Sequence, residues 1–447
     1  MKYVILILGL FLSLFGQAAP PHVVFVLVDD FGWGDPATFG GKIPTPHLDR
    51  LAREGMQFRQ FYVASPICSA SRCGAITGQY PARWHITSYL QSREGNRACE
   101  QVDYLAPSAP SLPRLFSKAG YATAHIGKWH LGGGRDVTDA PKFAAYGYDL
   151  GLGTYESPEP AAALGIKSMP WTMEREPQQV ARHERTRWMV DETLAFLKAK
   201  SAKPCFVNLW LDDTHTPFRP MEGADEREPL EKFRAVLTET DRQLGRLMEG
   251  LRELGLEKDT LILLAGDNGP EPSFDRSRTG GLRGMKWSLY EGGIRTPLIM
   301  RWPGVVPAGQ VDEQTVVSAM DLFPTLATLA GLPLPEGYIS DGEDMTTAFK
   351  GTPRERGRPL FWEYGRKPAL KGQGIRTFPY PKEAGAKSPN VGVREGPWKL
   401  LVNADGREME LYHLIIDPKE TTNLTEREPE QAARLKQMAL KWRAEME

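Results

Sequence analysis

The stretch His22-Val23-Val24-Phe25-Val26-Leu27-Val28-Asp29-Asp30 decides the fold. Its β-branched and aliphatic residues run without polar alternation, so both faces of the strand they form must be covered, as in the interior of a parallel sheet. The run ends on two carboxylates, and Phe31-Gly32-Trp33-Gly34 follows. The same plan recurs downstream. Residues 206–211 are apolar and end in Asp212-Asp213, and residues 261–265 end in Gly266-Asp267-Asn268-Gly269. Helical patterns lie between these strands. Residues 45–54 carry Pro46 at an early helical position and Gly55 as a stop. Residues 231–256 line Phe233, Val236, Leu237, Leu244, Leu247, Met248, Leu251 and Leu254 along one face. This alternation predicts an α/β fold: a large domain with a mostly parallel, doubly wound mixed sheet flanked by helices.

Outward from that core the composition changes near Gly331, where Gly and Pro punctuate the chain. Residues 359–364, 390–403 and 410–415 read as short antiparallel strands, and residues 426–445 as a charged helix. They predict a smaller C-terminal α+β subdomain with an antiparallel sheet. The expected division is a signal peptide over 1–18, a catalytic domain over 19–345 and the subdomain over 346–447. Residues 367–387 form a Lys/Pro/Gly-rich loop, either plain solvated surface or a flap reaching over a site.

The N-terminus explains the first boundary. Met1 and Lys2 are followed by an apolar run to Phe15 and by Gly16-Gln17-Ala18, the pattern of a secretory signal peptide cut after Ala18. The run is short for a bilayer span, so export to the periplasm or the medium is expected, with no stable membrane anchor. An uncleaved anchor is the alternative. The net charge of -1 over 447 residues gives no basic surplus for nucleic acid. Four cysteines, Cys68, Cys73, Cys99 and Cys205, do not make a disulfide scaffold; their spacing leaves a Cys73–Cys99 pair open. No CxxC or HExxH element points to zinc.

Chemistry concentrates at the strand ends. Asp29-Asp30 and Asp267-Asn268 would sit at the carboxyl edge of the sheet, where sites form in open α/β folds. Carboxylates packed there repel one another unless a cation intervenes. Oxygen ligands without Cys or His point to a hard ion, Ca²⁺ or Mg²⁺. The competing reading of each acid is a helix cap or turn residue. In Gly127-Lys128-Trp129-His130-Leu131-Gly132, Lys128 and His130 share a face if the segment is extended, and together fit a tetrahedral oxyanion. His215, just past a buried strand, and Lys286, before Glu291-Gly292-Gly293, add cationic groups. Cys68 opens Cys68-Ser69-Ala70-Ser71-Arg72, near a predicted helix N-terminus. A lone cysteine there is either a small buried hydrophobe or an activated thiol.

These segments together resemble the type I, formylglycine-dependent sulfatases of the alkaline phosphatase superfamily. The family motif Cys-x-Pro/Ala-x-Arg followed by Thr-Gly stands here as Cys68, Ala70, Arg72 and Thr77-Gly78. The resemblance takes in Asp29-Asp30, the Lys128–His130 segment, His215, the Asp267-Asn268 turn, Lys286, Asp321-Leu322-Phe323-Pro324-Thr325, and Asp417-Pro418-Lys419-Glu420. It implies that a maturation enzyme oxidises Cys68 to Cα-formylglycine. It also implies that Asp29, Asp30, Asp267 and Asn268 hold Ca²⁺ together with the formylglycine hydrate at Cys68. Arg72 would orient that group, and Lys128, His130, His215 and Lys286 would surround the sulfate. The implied reaction is sulfate-ester hydrolysis through a covalent sulfo-enzyme intermediate.

Two positions depart from the pattern. Ala70 replaces the commoner Pro, and Gln79 stands where an Arg usually follows Thr-Gly. The expected substrate is a sulfated saccharide attacked in exo fashion, with Trp171 and the variable 133–189 region as candidate sugar contacts. A phosphonate or phosphate ester hydrolase of the same superfamily is the nearest alternative. A non-catalytic binder of sulfated glycans is the alternative outside enzymes.

Overall fold

The computed structural model describes residues 20–161, 180–220, 228–272, 276–366, 382 and 385–446. The expected signal peptide, Trp171 with most of its surrounding loop, and most of the 367–387 loop lie outside these residues.

The first strand, β1 (His22–Val28), is buried along its whole length. Its side chains alternate between two separate cores. Val23, Phe25 and Leu27 join one, Val24, Val26 and Val28 the other. An uninterrupted apolar run is what a strand covered on both faces requires. Each fully buried aliphatic side chain of this kind contributes about 1.5–3 kcal/mol. The remaining strands of the sheet are β2 (Met56–Tyr62), β3 (Ala122–Gly127), β4 (Leu150–Gly153), β5 (Cys205–Leu211), β6 (Thr260–Gly266), β7 (Arg295–Arg301) and β8 (Gln310–Ser318). They form an eight-stranded sheet in the order β4-β3-β5-β1-β6-β7-β2-β8. Every pairing is parallel except those of β7 with β6 and with β2. The expected doubly wound mixed sheet is therefore present.

One face of the sheet carries α1 (Pro46–Arg53) and the helices Arg185–Ala199 and Pro229–Glu253. The other carries α2 (Cys68–Thr77). Pro46 and Pro229 open their helices, where a missing N–H costs nothing. Helix α2 is buried at every residue and ends at Gly78, whose φ of 66° is left-handed. A Cβ at Gly74 would lie 2.4 Å from that of Ala64, so α2 packs on the chain leaving β2 closer than any other residue permits.

A second sheet of four strands, β9 (Leu360–Glu363), β10 (Val391–Glu395), β11 (Trp398–Val402) and β12 (Glu410–His413), is antiparallel in the order β12-β11-β10-β9. The helix Pro429–Glu445 covers it through Ala432, Leu435 and Ala439. This is the expected antiparallel sheet with its closing helix.

A buried ionic knot joins the two sheets. Lys399 Nζ on β11 lies 2.9 Å from Glu291 Oε1 and 2.8 Å from Glu420 Oε1, with all three side chains fully shielded. Tyr62 donates its hydroxyl to Glu291 Oε2 at 2.6 Å, and the Glu291 amide donates to Glu420 Oε2 at 2.7 Å. Burial works against ionisation of Glu291, but Lys399, Arg295 and Arg394 hold its carboxyl down at about 2. All four cysteines are buried free thiols, so Cys73 and Cys99 are not joined. Among the described residues no helix is long and apolar enough to cross a membrane.

Candidate active site

Four adjacent strands, β3, β5, β1 and β6, deliver seven of the ten candidate residues at their carboxyl ends. Val28 is in register with both Leu211 and Gly266, so the segments leaving β1, β5 and β6 emerge side by side. The Asp29 amide bonds Leu211 O and the Asp267 amide bonds Val28 O, which carries the sheet one residue further. The Lys128 amide does the same from β3, to Trp210 O at 2.9 Å. Asp29, Asp30 and Asp267 thereby gather ligand oxygens within 4.8 Å of one another, all buried.

Cations interleave with these acids. Arg72, on the first turns of α2, places Nη2 2.7 Å from Asp267 Oδ2 and 3.5 Å from Asp29 Oδ1. Its Nη1 donates to Lys128 O at 2.8 Å. Lys128 Nζ reaches Asp29 Oδ2 at 2.5 Å, and Lys286 Nζ reaches Asp30 Oδ1 at 2.6 Å. His215 Nε2 is 3.7 Å from Asp30 Oδ2, and its loop is tied in by Thr214 Oγ1, which donates to Asp29 O. Cys68 Sγ is 3.2 Å from His130 Nδ1, while His130 Nε2 meets Leu90 O at 3.0 Å. All ten candidates from the sequence therefore meet in one place.

Two oxygens of this cluster, Asp29 Oδ1 and Asn268 Oδ1, are buried without a hydrogen-bond donor. Asn268 turns its amide nitrogen to Asp30 Oδ1 at 2.7 Å, which aims its carbonyl oxygen elsewhere. Buried acceptors are rarely left so, and a hard cation satisfies them. The charge balance agrees. Burial and the neighbouring Asp29 push Asp267 up to about 7 despite Arg72, the conflict that a divalent ion removes. The donor set of carboxylate and amide oxygens fits Ca²⁺ or Mg²⁺.

Burial dominates the other groups too. It raises the Cys68 thiol against the pull of Lys128 and Lys286, so the sulfur is no ready thiolate. Burial, reinforced by Lys128, holds His130 well below the usual imidazole range. His215 is lowered by burial and by Lys286, with Asp30 opposing. Burial also disfavours charge on Lys286, but Asp30 keeps its pKa above the ordinary value.

The geometry refines several readings. Lys128 and His130 do not share a face through an extended backbone, because His130 has a left-handed φ of 54°. The turn itself brings both to the site. Asp212 and Asp213 also follow a buried strand, yet Arg182 and Arg185 surround them, and Asp213 further accepts from Thr186. Gln79 hydrogen-bonds Ile339 O and Trp84 Nε1. Ala70 occupies the first turn of α2, where Ser71 makes the first helical bond, to Ile67 O. An amide at position 70 has no intrahelical acceptor, which is why the motif accepts Pro or Ala there.

Sequence reasoning missed the supports. Arg278 Nη2 bonds Asp30 O at 2.6 Å and Asp35 Oδ2 at 2.8 Å, holding Asp30 at its left-handed φ of 52°. Asp35, just past Gly32 and Gly34, was the available signal. The loop bearing Lys286 is pinned by its own amides: Lys286 to Pro270 O, Trp287 to Pro66 O and Gly292 to Arg283 O.

A family profile described as Sulfatase matches residues 21–332, and one described as N-sulphoglucosamine sulphohydrolase, C-terminal, matches residues 285–445. The N-acetylgalactosamine-6-sulfatase of Canis lupus familiaris is 33% identical over 378 residues, covering 78% of this chain and 70% of the relative. The N-acetylgalactosamine-6-O-sulfatase of Bacteroides thetaiotaomicron is 27% identical over 506 residues, covering 94% of this chain and 92% of the relative. A solved structure from a Bacteroides thetaiotaomicron locus for glycosaminoglycan metabolism shares the fold, with a TM-score of 0.76 at 22% identity over 96% of this chain and all of that one. The first profile alone spans more than half of the chain, from β1 past β8, and the protein therefore belongs to the sulfatase family and is a sulfuric ester hydrolase.

Proposed function

We propose that this protein is an exported, exo-acting carbohydrate sulfatase that releases sulfate from a glycosaminoglycan-type saccharide. One observation carries the cation-dependent chemistry of this reading: Asp29 Oδ1 and Asn268 Oδ1 are buried acceptors without donors, in the cluster that also holds Cys68 and Arg72. In this reading Asp29, Asp30, Asp267 and Asn268 hold Ca²⁺, and Cys68 is matured to Cα-formylglycine by a dedicated enzyme. The aldehyde hydrate that such maturation gives would supply the hydroxyl nucleophile that a buried thiol does not, and the cation would ease its deprotonation.

The chain's own groups do the rest. Arg72, fixed between Asp267 and Lys128 O, orients residue 68 and offsets its charge. Lys128, His130, His215 and Lys286 give a sulfate both positive charge and donors, strongest where water is excluded. His130 is kept neutral and holds Nδ1 at residue 68, so it accepts a proton there. Lys286 or His215 protonates the leaving alcohol. The residue span 19–345 is read as the catalytic domain and 346–447 as its subdomain. Named relatives that act on N-acetylgalactosamine 6-sulfates favour a sulfated amino sugar as the first substrate to try.

The test has two parts. Mass spectrometry of the peptide containing Cys68, after expression with a maturation enzyme, should show the aldehyde or its hydrate. The matured protein should release sulfate from a panel of saccharides, each sulfated at one position. A persistent thiol removes the mechanism. Activity confined to aryl sulfates, or a faster rate on matched phosphate esters, removes the substrate class.

A further inference from the structure

A turn at the rim of the site carries a guanidinium that the reaction as described does not use. His130 is followed by residues 132–135, all with positive φ: 120°, 92° and 85° at three glycines and then 50° at Arg135. Gly132 and Gly133 are locked in place, since a Cβ would fall 2.2 Å from Tyr104 and 2.5 Å from Pro158. Arg135 and Asp136 form the tip of a turn closed by the Val137 amide on Gly134 O. Arg93 clamps that tip, its amide donating to Asp136 Oδ1 at 3.0 Å and its guanidinium to Asp103 at 2.7 Å. A left-handed Arg is a strained choice at a position open to Gly or Asn, and such strain persists where a side chain is needed.

The direction of that side chain is also fixed. Arg135 Nε donates to Glu156 Oε1 at 2.6 Å. Glu156 is itself left-handed, with φ 42°, and its side chain is 3% exposed against 27% for Arg135. The carboxylate lies beneath and the guanidinium above. Tyr155, the neighbour of Glu156, packs its ring edge-on to His130 at 4.9 Å, with Lys128 Nζ 5.2 Å from the ring. Tyr155 thus links the turn to His130, the residue that touches Cys68; His130 is held low first by burial and then by Lys128, with Arg135 a lesser contributor in the same direction. Burial pushes Glu156 up to about 7 despite Arg135, the mark of a carboxyl kept in place at a cost. A guanidinium has five donors in a planar fork; Glu156 takes Nε and Tyr155 takes another, and the remaining Nη donors are left for the solvent side.

We propose that Arg135, positioned by Glu156, recognises a second acidic group, carboxylate or sulfate, on the saccharide whose sulfate is cleaved. This rests on the carbohydrate sulfatase reading. The planar fork matches both kinds of anion, and the locked turn presents it without ordering cost.

Three probes separate the sources: N-acetylgalactosamine 6-sulfate, N-acetylgalactosamine 4,6-disulfate, and the 6-sulfate carrying a neighbouring hexuronate. The wild-type protein should favour one of the two-anion probes in kcat/KM by about tenfold or more, the worth of one charge-assisted contact. Whichever is favoured names the source. In Arg135→Ala that preference should collapse, with the loss in KM rather than kcat. Arg135→Lys should retain part of it, and Glu156→Gln should weaken it through KM. Equal wild-type efficiency on one- and two-anion probes overturns the inference without any variant. A preference that survives Arg135→Ala overturns it as well. Sulfate release from none of the probes by aldehyde-bearing protein overturns the saccharide reading and this inference together.

Discussion

Among the described residues, two of the buried charge networks invite comparison. One joins Asp29, Asp30 and Asp267 to Arg72, Lys128 and Lys286 at the edge of the large sheet. The other joins Glu291 and Glu420 to Lys399 between the two sheets. They differ in what is left over. At the second, every carboxylate oxygen has a partner within 2.9 Å, although Glu420 Oε1 is met only by its ion pair with Lys399 and by no hydrogen bond. At the first, Asp29 Oδ1 and Asn268 Oδ1 remain without a hydrogen-bond donor. A closed network, its charges met at short range, fastens; an open one, with acceptors to spare, has room to bind. Burial is equal in the two, so burial and charge alone do not identify a site.

That distinction can be broken by experiment. Asp267→Asn should lower sulfate release by at least a thousandfold, roughly 4 kcal/mol or more, with a smaller loss of stability than a change at the closed network. Comparable damage to both quantities would erase the difference. Lys399→Met should cost about 3–5 kcal/mol of stability, because two buried carboxylates lose their cation. Urea unfolding reads this, and a cost near zero would show that the knot does not fasten.

Added Ca²⁺ sharpens the comparison. At about 100 times its Kd it should stabilise the wild type by about 2.7 kcal/mol. Lys399→Met should respond equally and Asp267→Asn should not; a response in all three would place the ion elsewhere. A last effect is on the pH dependence of stability. Burial and Glu291 push Glu420 up to about 7, against Lys399, from an ordinary 4.5. The folded state then holds this proton more tightly than the unfolded chain does. Its contribution favours the fold at low pH and is lost as pH rises from about 4.5 through 7, with a slope of at most about 1.4 kcal/mol per unit. Glu420→Gln should flatten that slope in thermal melts. An identical slope in the variant would assign the proton to another group.

The open network was legible in the sequence and the closed one was not, for a physical reason. Strands β1 and β6 are buried on both faces, so they are unbroken apolar runs, and the acids stand where those runs stop. Each of Asp29, Asp30, Asp267 and Asn268 is thus marked by its position. Lys399 sits inside the hairpin of β10 and β11, where a lysine in a short strand reads as solvent-facing. Its partners are 108 residues away at Glu291 and at Glu420 in a loop, and no periodicity links them. Arg135 and Glu156 share this invisibility, being 21 residues apart on two loops. His130 was found for the right neighbours through the wrong geometry, since a single left-handed residue replaces the assumed alternation. Helix ends moved by a few residues wherever a proline set the start, as at Pro229 and Pro429.

The pairing of β1 with β5 and β6 also sets a clock. Asp30 and Asp267 are separated by 237 residues, and neither neighbour of β1 exists until the chain has been made well past residue 200. At synthesis rates of about 5–20 residues per second, roughly 10 to 50 seconds pass between them. During that interval the segment that becomes α2 has no sheet to pack on, and Cys68 is open to a modifying enzyme. Once the sheet closes, residue 68 is 3% exposed on a helix buried at every position. On the proposed maturation of Cys68, modification and folding are competitors in time, and a variant that folds faster need not be a more active one.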